Sequence, residues 1–425
     1  MKGWFVMDKF QEIYQIGEDI YLNPELGFKE VHTSSLVENY VKKYFPDVVI
    51  ERFAKTGIKF NIGNKKPLHI AFVAELDAVF APSHFHANPK TGAAHNCGHY
   101  SQVAIILHLF RSLIENEKYE KFDFSMGFVF VPAEEYLDLE FRHKLKDMGE
   151  ISYLGGKPEA MKLGIFDEYD LAICVHAMGG IFPERSIEIN CDLAGFMYKN
   201  YKFKGKAAHA GFAPFAGVNA YSISTLFNVA LGLARQQIDE KHLVRINPVI
   251  LESNMGVNVI PNEITVGTDI RAHSVEYMMK LSKDLDNMAK GSAMALGGQV
   301  EIENNMGYLP FIQSRYLSNF VRKAYEKFDI IKVCKDENPI SAAGDIGDLS
   351  FMLPCIQIGY SGFKGTIHGD DFIHDDIEYI FSIFPQFLMK VLEEMNEKID
   401  KTKLYKRTYE EYKKAIDILG GINEK

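Results

Sequence analysis

Two residues with metal-binding side chains stand one glycine apart, directly before an apolar helical pattern. They are Cys97 and His99, in the sequence Ala-His-Asn-Cys-Gly-His-Tyr at 94–100. A thiolate and an imidazole are good ligands for zinc and related metal ions. The pair alone is weak support, because a buried cysteine is also a common packing residue. A metal site therefore requires further ligands at positions that the fold brings together.

Four short apolar segments have the pattern of buried parallel strands, at 68–73, 122–131, 171–175 and 355–359. The polar residues that end or follow them are Asp77, Glu134, Glu135, His176 and His368. Helical patterns alternate with the strands, which predicts an α/β fold with a mostly parallel sheet covered by helices on both faces. Ligands bind at the carboxyl edge of such sheets, so we expect these side chains to lie close together.

Between residues 192 and 308 the strands instead alternate apolar and polar residues, as in an antiparallel sheet with one solvated face. The order of elements is strand, helix, strand, strand, helix, strand, which is typical of a ferredoxin-like α+β unit. We therefore expect a sheet domain in two parts, 1–191 and 309–425, with this second domain inserted at 192–308. The Lys/Glu-rich segment 393–425 is predicted to be a solvated amphipathic helix.

The composition limits the class of partner. The chain has 425 residues and a formal net charge of −10, which disfavours nucleic acid or an anionic membrane as its main partner. No segment approaches the roughly 20 consecutive apolar residues of a membrane helix. The chain also reaches Asp8 before any long apolar run, which argues against a secretory signal and predicts a cytoplasmic protein. The net charge makes a small-molecule substrate the expected partner. Five cysteines, an odd number, do not indicate a disulfide framework.

Taken together, these motifs resemble the M20 peptidase family, the aminoacylase- and carboxypeptidase-like metallohydrolases. Within its amidohydrolase branch the chain is most similar to aminobenzoyl-glutamate hydrolases and related dipeptidases, with hippurate hydrolases further off. The similarity runs from Pro-Glu-Leu-Gly-Phe at 24–28 to about Phe372. It implies two divalent metal ions per subunit, zinc or manganese first, with cobalt and nickel as alternatives. The ligands that it implies are Cys97, His99, Glu135, His176 and His368.

The resemblance also implies catalytic roles. Glu134 is expected to be the general base that takes a proton from the attacking water and returns it to the leaving amine. Asp77 is expected to orient the metal site from behind. His209, in a glycine-rich turn of the inserted domain, is expected to reach the active site of a partner subunit and stabilise the oxyanion. Glu75 stands where more distant branches carry a ligating histidine, and it is left out of the ligand set.

Two further residues of the inserted domain match positions associated with substrate contacts, Asn258 and Arg271. An arginine suits a substrate carboxylate, although either residue could equally be a structural cap or a salt-bridge partner. The chain departs from the family pattern at Tyr100, where an Asp or Asn commonly follows. It departs again at 252–256, where Glu-Ser-Asn-Met-Gly replaces a more glycine-rich turn.

The expected protein is a homodimeric metal-dependent amide hydrolase that acts on an N-acyl or N-aminoacyl amino acid or a dipeptide. Two alternatives from other classes remain. One is a metal-binding or regulatory protein that has kept the fold without turnover, which would have no chemical reason to retain Glu134. The other is a thiol-based redox sensor centred on Cys97, which would require a solvent-reactive cysteine.

Overall fold

The computed structural model describes residues 2–115, 117–253 and 256–420, with the side chains described from residue 9 onwards. The helices are α1 (Lys2–Leu22), α2 (Val31–Tyr44), α3 (His99–Glu115), α4 (Lys118–Lys121), α5 (Leu139–Asp147), α6 (Gly156–Lys162), α7 (Ala220–Ala234), α8 (Val275–Ala295), α9 (Arg315–Tyr325), α10 (Ile346–Met352), α11 (Phe384–Met395) and α12 (Tyr409–Gly420). The strands are β1 (Glu51–Phe53), β2 (Gly57–Ile62), β3 (Leu68–Glu75), β4 (Val79–Phe80), β5 (Ala93–Ala94), β6 (Phe124–Val131), β7 (Leu171–Ala177), β8 (Ser186–Ile189), β9 (Gly195–Lys204), β10 (Arg245–Ser253), β11 (Glu263–Ala272), β12 (Gln299–Tyr308), β13 (Val333–Asp336), β14 (Cys355–Tyr360), β15 (Phe363–Lys364) and β16 (Ile373–His374).

The described chain divides into two compact units. The first contains the chain up to Cys191 together with Gln313–Pro339 and Leu349–Tyr409. The second contains Asp192–Ile312, Ile340–Asp348 and the chain from Glu410 onwards. The sequence pattern placed the last two of these segments in the sheet domain. The segment from Ile340 joins the second unit because its backbone pairs with the residues just before β9, as in the 2.9 Å hydrogen bond from Ala194 N–H to Ala342 O.

The first unit is built on an eight-stranded sheet with the order β1-β2-β6-β3-β7-β14-β8-β13. The four central strands, β6, β3, β7 and β14, run parallel to one another, whereas β1 and β2 pair antiparallel at one end. The central strands are almost entirely buried and apolar, as strands covered on both faces must be. The predicted fold class is confirmed, and the carboxyl ends of the four strands lie at one edge.

Helix α3 holds the Cys97–His99 segment against this edge. Its residues from His99 to Arg111 are buried, because the helix packs on β3 on one side and on α1 and α11 on the other. Burying an apolar helix on all sides fixes its axial position as well as its rotation. The first helical residue, His99, is therefore positioned by the core of the unit.

Three left-handed backbone positions turn the chain at the same edge. Gly98 has φ +90°, Ala133 has φ 55° and His368 has φ 65°. Only glycine adopts this region without steric cost, so the other two conformations must be held by their surroundings. The Ala133 N–H donates to the buried carboxylate of Glu30 at 2.8 Å, and the His368 N–H donates to Asn96 O at 2.8 Å. Tertiary hydrogen bonds thus fix the turns.

Tyr100, the residue that departs from the family pattern, is a packing and hydrogen-bonding residue. It is 1% exposed, its ring centroid lies 4.8 Å from that of Tyr21 in α1, and its hydroxyl lies 2.8 Å from His374 Nδ1. The opposite ring nitrogen of His374 lies 3.1 Å from a carboxylate oxygen of Glu18. The contact between Tyr100 and His374 therefore links the first turn of α3 to β16, and Glu18 of α1 lies beside the other edge of the His374 ring.

The second unit has a four-stranded antiparallel sheet with the order β10-β11-β9-β12, with α7 and α8 packed on it. This is the strand order of the predicted ferredoxin-like unit. Met278, Leu281 and Leu285 of α8 are buried in its core, as their spacing predicts. Strand β10 lies at the sheet edge, and its Val249, Ile250 and Leu251 are about half exposed.

The C-terminal segment differs from its prediction. It is not one solvated helix, because α11 ends at Met395 and a separate helix, α12, begins at Tyr409. Helix α12 buries Tyr412 and Leu419, so it has a packed apolar face. Residues 421–425 lie outside the described part of the chain. None of the helices described in this chain is long and apolar enough to cross a membrane.

Replacement of Gly98 tests the turn that carries the metal-binding pair. A Cβ at Gly98 would lie 2.6 Å from Ala177 Cβ in addition to requiring φ +90°. We expect Gly98→Ala to lower the free energy of unfolding by about 2 kcal/mol or more, since it adds a clash to a left-handed conformation that costs roughly 1–2 kcal/mol. Urea unfolding followed by circular dichroism measures the difference.

The matched control is Gly149→Ala. Gly149 has φ +74°, but no atom lies within 4 Å of a Cβ built there, so this variant carries the conformational cost alone. Equal destabilisation by the two substitutions would contradict the inferred clash beneath the metal-binding segment.

Candidate metal centre

Five polar side chains converge at the carboxyl edge of the central strands. Cys97 and His99 lie at the start of α3, Glu135 follows β6, and His176 lies within β7. His368 lies between β15 and β16, in the chain that follows β14. All five predicted ligands are therefore on segments that the parallel sheet brings together.

The donor atoms form two groups that share Cys97. In the first, the donor atoms of Cys97, His99 and His176 all lie within 4.8 Å of one another, and Cys97 Sγ is 3.6 Å from His176 Nε2. In the second, the same limit holds for Cys97, Glu135 and His368, and His368 Nε2 is 3.0 Å from a carboxylate oxygen of Glu135. A sulfur atom common to two such groups is suited to bridge two metal ions.

Asp77 lies behind His99 and sets the orientation of its ring. His99 Nδ1 is 2.9 Å from the backbone oxygen of Asp77 and 3.3 Å from its carboxylate. The other carboxylate oxygen of Asp77 accepts the backbone N–H of Glu135 at 3.0 Å. When Nδ1 donates to Asp77, Nε2 carries the lone pair and faces the cluster. This Nε2 atom is buried and has no hydrogen-bond partner among the described residues, as expected of a metal-binding nitrogen.

Charge interactions within the cluster perturb the pKa values of its members. Burial and the charge of Glu135 raise the pKa of the Cys97 thiol, but the charges of His99 and His176 outweigh them and lower it to about 6. The hydrogen bonds of His368 with Cys97 and Glu135 raise its pKa to about 11. Protons on the imidazoles thus balance the thiolate and carboxylate charges. Metal ions at the same place would supply that positive charge in their stead.

Glu134 lies beside the cluster, next to the ligand candidate Glu135. One of its carboxylate oxygens is 3.9 Å from His99 Nε2. The preceding residue is the left-handed Ala133, so a hydrogen-bonded turn positions both glutamates at the strand end. Glu134 therefore borders the same donor atoms as Glu135.

The sequence prediction omitted a buried polar group at this site, consisting of Glu75, Lys157 and Gln102. Glu75 ends β3, and one of its oxygens is 3.1 Å from His99 Nε2. Its two oxygens are also held by Lys157 Nζ at 2.6 Å and Gln102 Nε2 at 2.7 Å. Two sequence signals point to Glu75, its position at a strand end and its match to a ligating histidine of more distant branches, whereas Lys157 on α6 is recognisable only from the folded contact.

The donor set suits borderline divalent ions. Zinc takes thiolate, imidazole and carboxylate ligands, and manganese, cobalt and nickel accept overlapping sets. The orphaned nitrogen of His99 and the shared sulfur of Cys97 fit two ions held close together. The residues present are therefore compatible with a dinuclear centre.

The remaining predicted residues belong to the second unit. His209 is exposed, and its Nδ1 accepts hydrogen bonds from the backbone N–H groups of Gly211 and Phe212. Asn258 lies on the adjoining loop, and its backbone oxygen accepts a hydrogen bond from the Ala210 N–H at 3.0 Å. Asn254 and Met255, part of the unusual turn before Asn258, lie outside the described residues. Arg271 donates to Asp269 and to Ser341 O, each at 2.9 Å, which are contacts within the second unit.

Comparisons with known proteins place the chain in a family. The family model of peptidase family M20/M25/M40 matches residues 71–389. The hippurate hydrolase of Campylobacter jejuni is 21% identical over 89% of this chain and 93% of its own length. The IAA-amino acid hydrolase ILR1-like 4 of Arabidopsis thaliana is 25% identical over 66% of this chain, but the match spans only 60% of that relative.

Among solved structures, a dinuclear metal binding peptidase of the M20 family from Bacillus subtilis has the same fold. It aligns with a TM-score of 0.74 at 17% identity, over 92% of this chain and 100% of that one. The resemblance carried by the sequence motifs is confirmed, because the family match extends over most of the chain. The protein belongs to peptidase family M20/M25/M40.

Proposed function

We propose that this protein is a dinuclear metal-dependent amide hydrolase that cleaves an N-acyl or N-aminoacyl amino acid or a dipeptide. The observation that carries the proposal is the pair of donor groups joined at Cys97, with Glu134 beside them. When bound, the two ions would polarise the amide carbonyl and lower the pKa of water. The relatives named hippurate hydrolase and IAA-amino acid hydrolase support an amide substrate of this kind.

The proposed ligand set is divided between the two ions. His99 and His176 would hold one ion, Glu135 and His368 would hold the other, and Cys97 belongs to both donor groups. Asp77 fixes the His99 ring through Nδ1 and thereby keeps Nε2 directed at the first ion. Zinc or manganese is the proposed metal, since both accept this mixture of sulfur, nitrogen and oxygen ligands.

Glu134 is the proposed general base. Its carboxylate near His99 Nε2 takes a proton from the attacking water and delivers it to the amine that leaves. One carboxylate can perform both transfers, because the proton that it takes from water is the proton that it gives to the amine, and the second transfer restores the carboxylate. This residue also separates the proposal from a non-catalytic metal-binding protein on the same fold, in which nothing would require a base at this position.

The inserted unit supplies the proposed substrate contacts. His209 stabilises the oxyanion in the active site of the partner subunit, and Asn258 contacts the substrate. Arg271 is proposed to bind a substrate carboxylate, although its contacts with Asp269 and Ser341 equally suit the structural role that the sequence left open.

A homodimer is proposed to form through the second unit. Edge strand β10 exposes Val249, Ile250 and Leu251, and α7 exposes Val229 and Leu233. An exposed apolar edge strand is a template for pairing with another strand, and a two-fold axis would place the same strand of a second copy there. The net charge of −10 supports the further proposal that neither nucleic acid nor an anionic membrane is the main partner. A cytoplasmic location remains part of the proposal.

Loss of the base should abolish turnover without loss of metal. We expect Glu134→Gln to lower kcat for N-benzoylglycine or another cleaved N-acyl amino acid by about 10²–10⁴-fold, the usual contribution of a general base. Metal content, measured by mass spectrometry of the dialysed protein, should remain as in the unaltered protein. Glu140→Gln, on the exposed surface of α5, is the control and should retain activity.

Chelation provides the complementary result. Removal of metal should abolish hydrolysis, and Zn²⁺ or Mn²⁺ should restore it. Activity that survives both Glu134→Gln and chelation would end the proposal.

The reactivity of Cys97 in metal-free protein should follow its lowered pKa. Because the pKa is about 6, the thiolate is formed as pH rises through 6, and alkylation by iodoacetamide should be near its maximum by pH 7. Burial and Asp336 raise the pKa of Cys334 to about 11, so this thiol is the internal control and should react slowly below pH 9. Peptide mass spectrometry compares the two cysteines.

Bound Zn²⁺ should protect Cys97 from the same reagent. Equal alkylation of Cys97 with and without metal would favour the redox-sensor alternative over a metal ligand.

Mixed dimers test the proposed action of His209 across the interface. His209→Ala and Glu134→Ala proteins should each be inactive, but subunit exchange should recover about a quarter of normal activity. This is because half of the exchanged dimers are mixed and one of their two sites is intact. Absence of recovery in dimers shown to exchange would indicate that His209 acts within its own subunit.

A further inference from the structure

We propose that Glu75 is a sixth donor of the metal centre, on the ion held by His99, and that Lys157 and Gln102 hold its carboxylate in place for this role. The inference rests on the proposed dinuclear function and adds a ligand to it. It gives a function to the buried polar group of Glu75, Lys157 and Gln102, which has none in the five-ligand arrangement.

The three side chains form a closed, buried arrangement. Glu75 is 5% exposed, Gln102 is 1% exposed and Lys157 is fully buried. Lys157 Nζ lies 2.6 Å from Oε1 of Glu75, and Gln102 Nε2 donates to Oε2 at 2.7 Å. The Glu75 backbone N–H also donates to the Gln102 side-chain oxygen at 3.3 Å, so both ends of the residue are fixed by one amide.

The position of Oε2 relative to His99 favours a cation between them. The two atoms are 3.1 Å apart, yet the contact does not have hydrogen-bond geometry, and His99 Nε2 has no hydrogen-bond partner among the described residues. In the neutral ring, with Nδ1 donating to Asp77, Nε2 has a lone pair that can bind a metal ion. A divalent ion bound there would be within reach of the Glu75 carboxylate as well, and it would take the place of the proton that balances this carboxylate in the metal-free protein.

The donor atoms of Glu75 and of the first donor group lie around one position, where a single ion could bind. Glu75, His99 and Glu134 have donor atoms within 4.8 Å of one another, and His99 also belongs to the group with Cys97 and His176. An imidazole nitrogen has one lone pair and binds one ion. An ion on His99 Nε2 therefore has Oε2 of Glu75 in reach as well as the sulfur of Cys97.

The salt bridge with Lys157 does not occupy the oxygen that the ion requires. A carboxylate has two oxygens and about four acceptor positions, and Lys157 is on Oε1 while Oε2 faces His99. Hydrogen-bonded support behind a ligating carboxylate is usual in metal sites. Lys157 also balances the charge of Glu75, so the added ligand does not increase the net negative charge of the site.

The proposal is tested by measuring metal binding in a variant that has apolar side chains in place of Glu75 and Lys157. Glu75→Gln leaves the Lys157 ammonium buried without its carboxylate, so it can fail to fold for that reason alone. The double variant Glu75→Leu with Lys157→Met removes both charges and keeps the volume apolar. Isothermal titration of the metal-free proteins with Zn²⁺, in competition with a chelator, measures the affinity of each ion.

We expect the folded double variant to bind one of its two ions about 10–100-fold more weakly, with the other unchanged, as for loss of a ligand or its support. The visible spectrum of the Co²⁺-substituted protein should change in its d–d bands, which report coordination, and keep the thiolate charge-transfer band of Cys97. Glu159→Gln is the matched control. Glu159 is a buried carboxylate on the same helix as Lys157, 4% exposed and held by the N–H groups of Ser152 and Tyr153.

Two ions bound with unchanged affinity and an unchanged Co²⁺ spectrum in the double variant would overturn the proposal and make the Glu75–Lys157 pair purely structural. A lowered thermal stability with unchanged metal binding, as expected for Glu159→Gln, would lead to the same conclusion. Failure of the unaltered protein to bind two ions would instead contradict the dinuclear function. The two failures are therefore distinguishable.

Discussion

Parallel pairing of β6, β3, β7 and β14 is the constraint on which the site depends. Neighbouring parallel strands end at the same edge, and the register pairs Glu75 with Val131 and His176 with Gly359. A shift of one residue in any of these pairings would turn a donor side chain to the other face of the sheet. The buried apolar faces of the four strands strongly specify this register, so the hydrophobic core determines the positions of the metal-binding atoms.

Because the site lies against the same core, its charged side chains are costly to bury unless each has a partner of opposite charge. Thiolate, carboxylate and imidazole groups lie together, and Cys97, His99 and Glu135 among them are buried, so each of these charges requires a partner. In the absence of metal, protons on the histidines provide the positive charge, which is why the pKa values of His99 and His368 are raised while that of Cys97 is lowered. Binding of divalent ions must therefore release protons, and the affinity for metal must fall as the pH falls.

Much of this organisation could be predicted from the sequence. Strand periodicity located the four central strands, and the polar residues at their ends predicted a cluster at one edge of the sheet, whereas the choice of ligands within that cluster came from the resemblance to the family. The ferredoxin-like order was likewise readable from alternation. Contacts between residues far apart in the chain were not predictable. The Lys157 ammonium binds the Glu75 carboxylate, and the Tyr100 hydroxyl lies within hydrogen-bond distance of His374. Neither pairing leaves a periodic signal, because each depends on how separate segments pack. The segment at 340–348 joined the second unit for the same reason.

The order of the ligands along the chain bears on how the protein is made. Cys97, His99, Glu135 and His176 all precede the second unit, whereas His368 follows it. A ribosome that synthesises the chain from its N terminus has made Cys97, His99 and His176 long before it makes β14 or His368. Strand β14 pairs with β7, and α11 packs on α3, so the segments that complete the core around these residues are also made last. The arrangement of both donor groups must therefore await the part of the chain that follows the second unit.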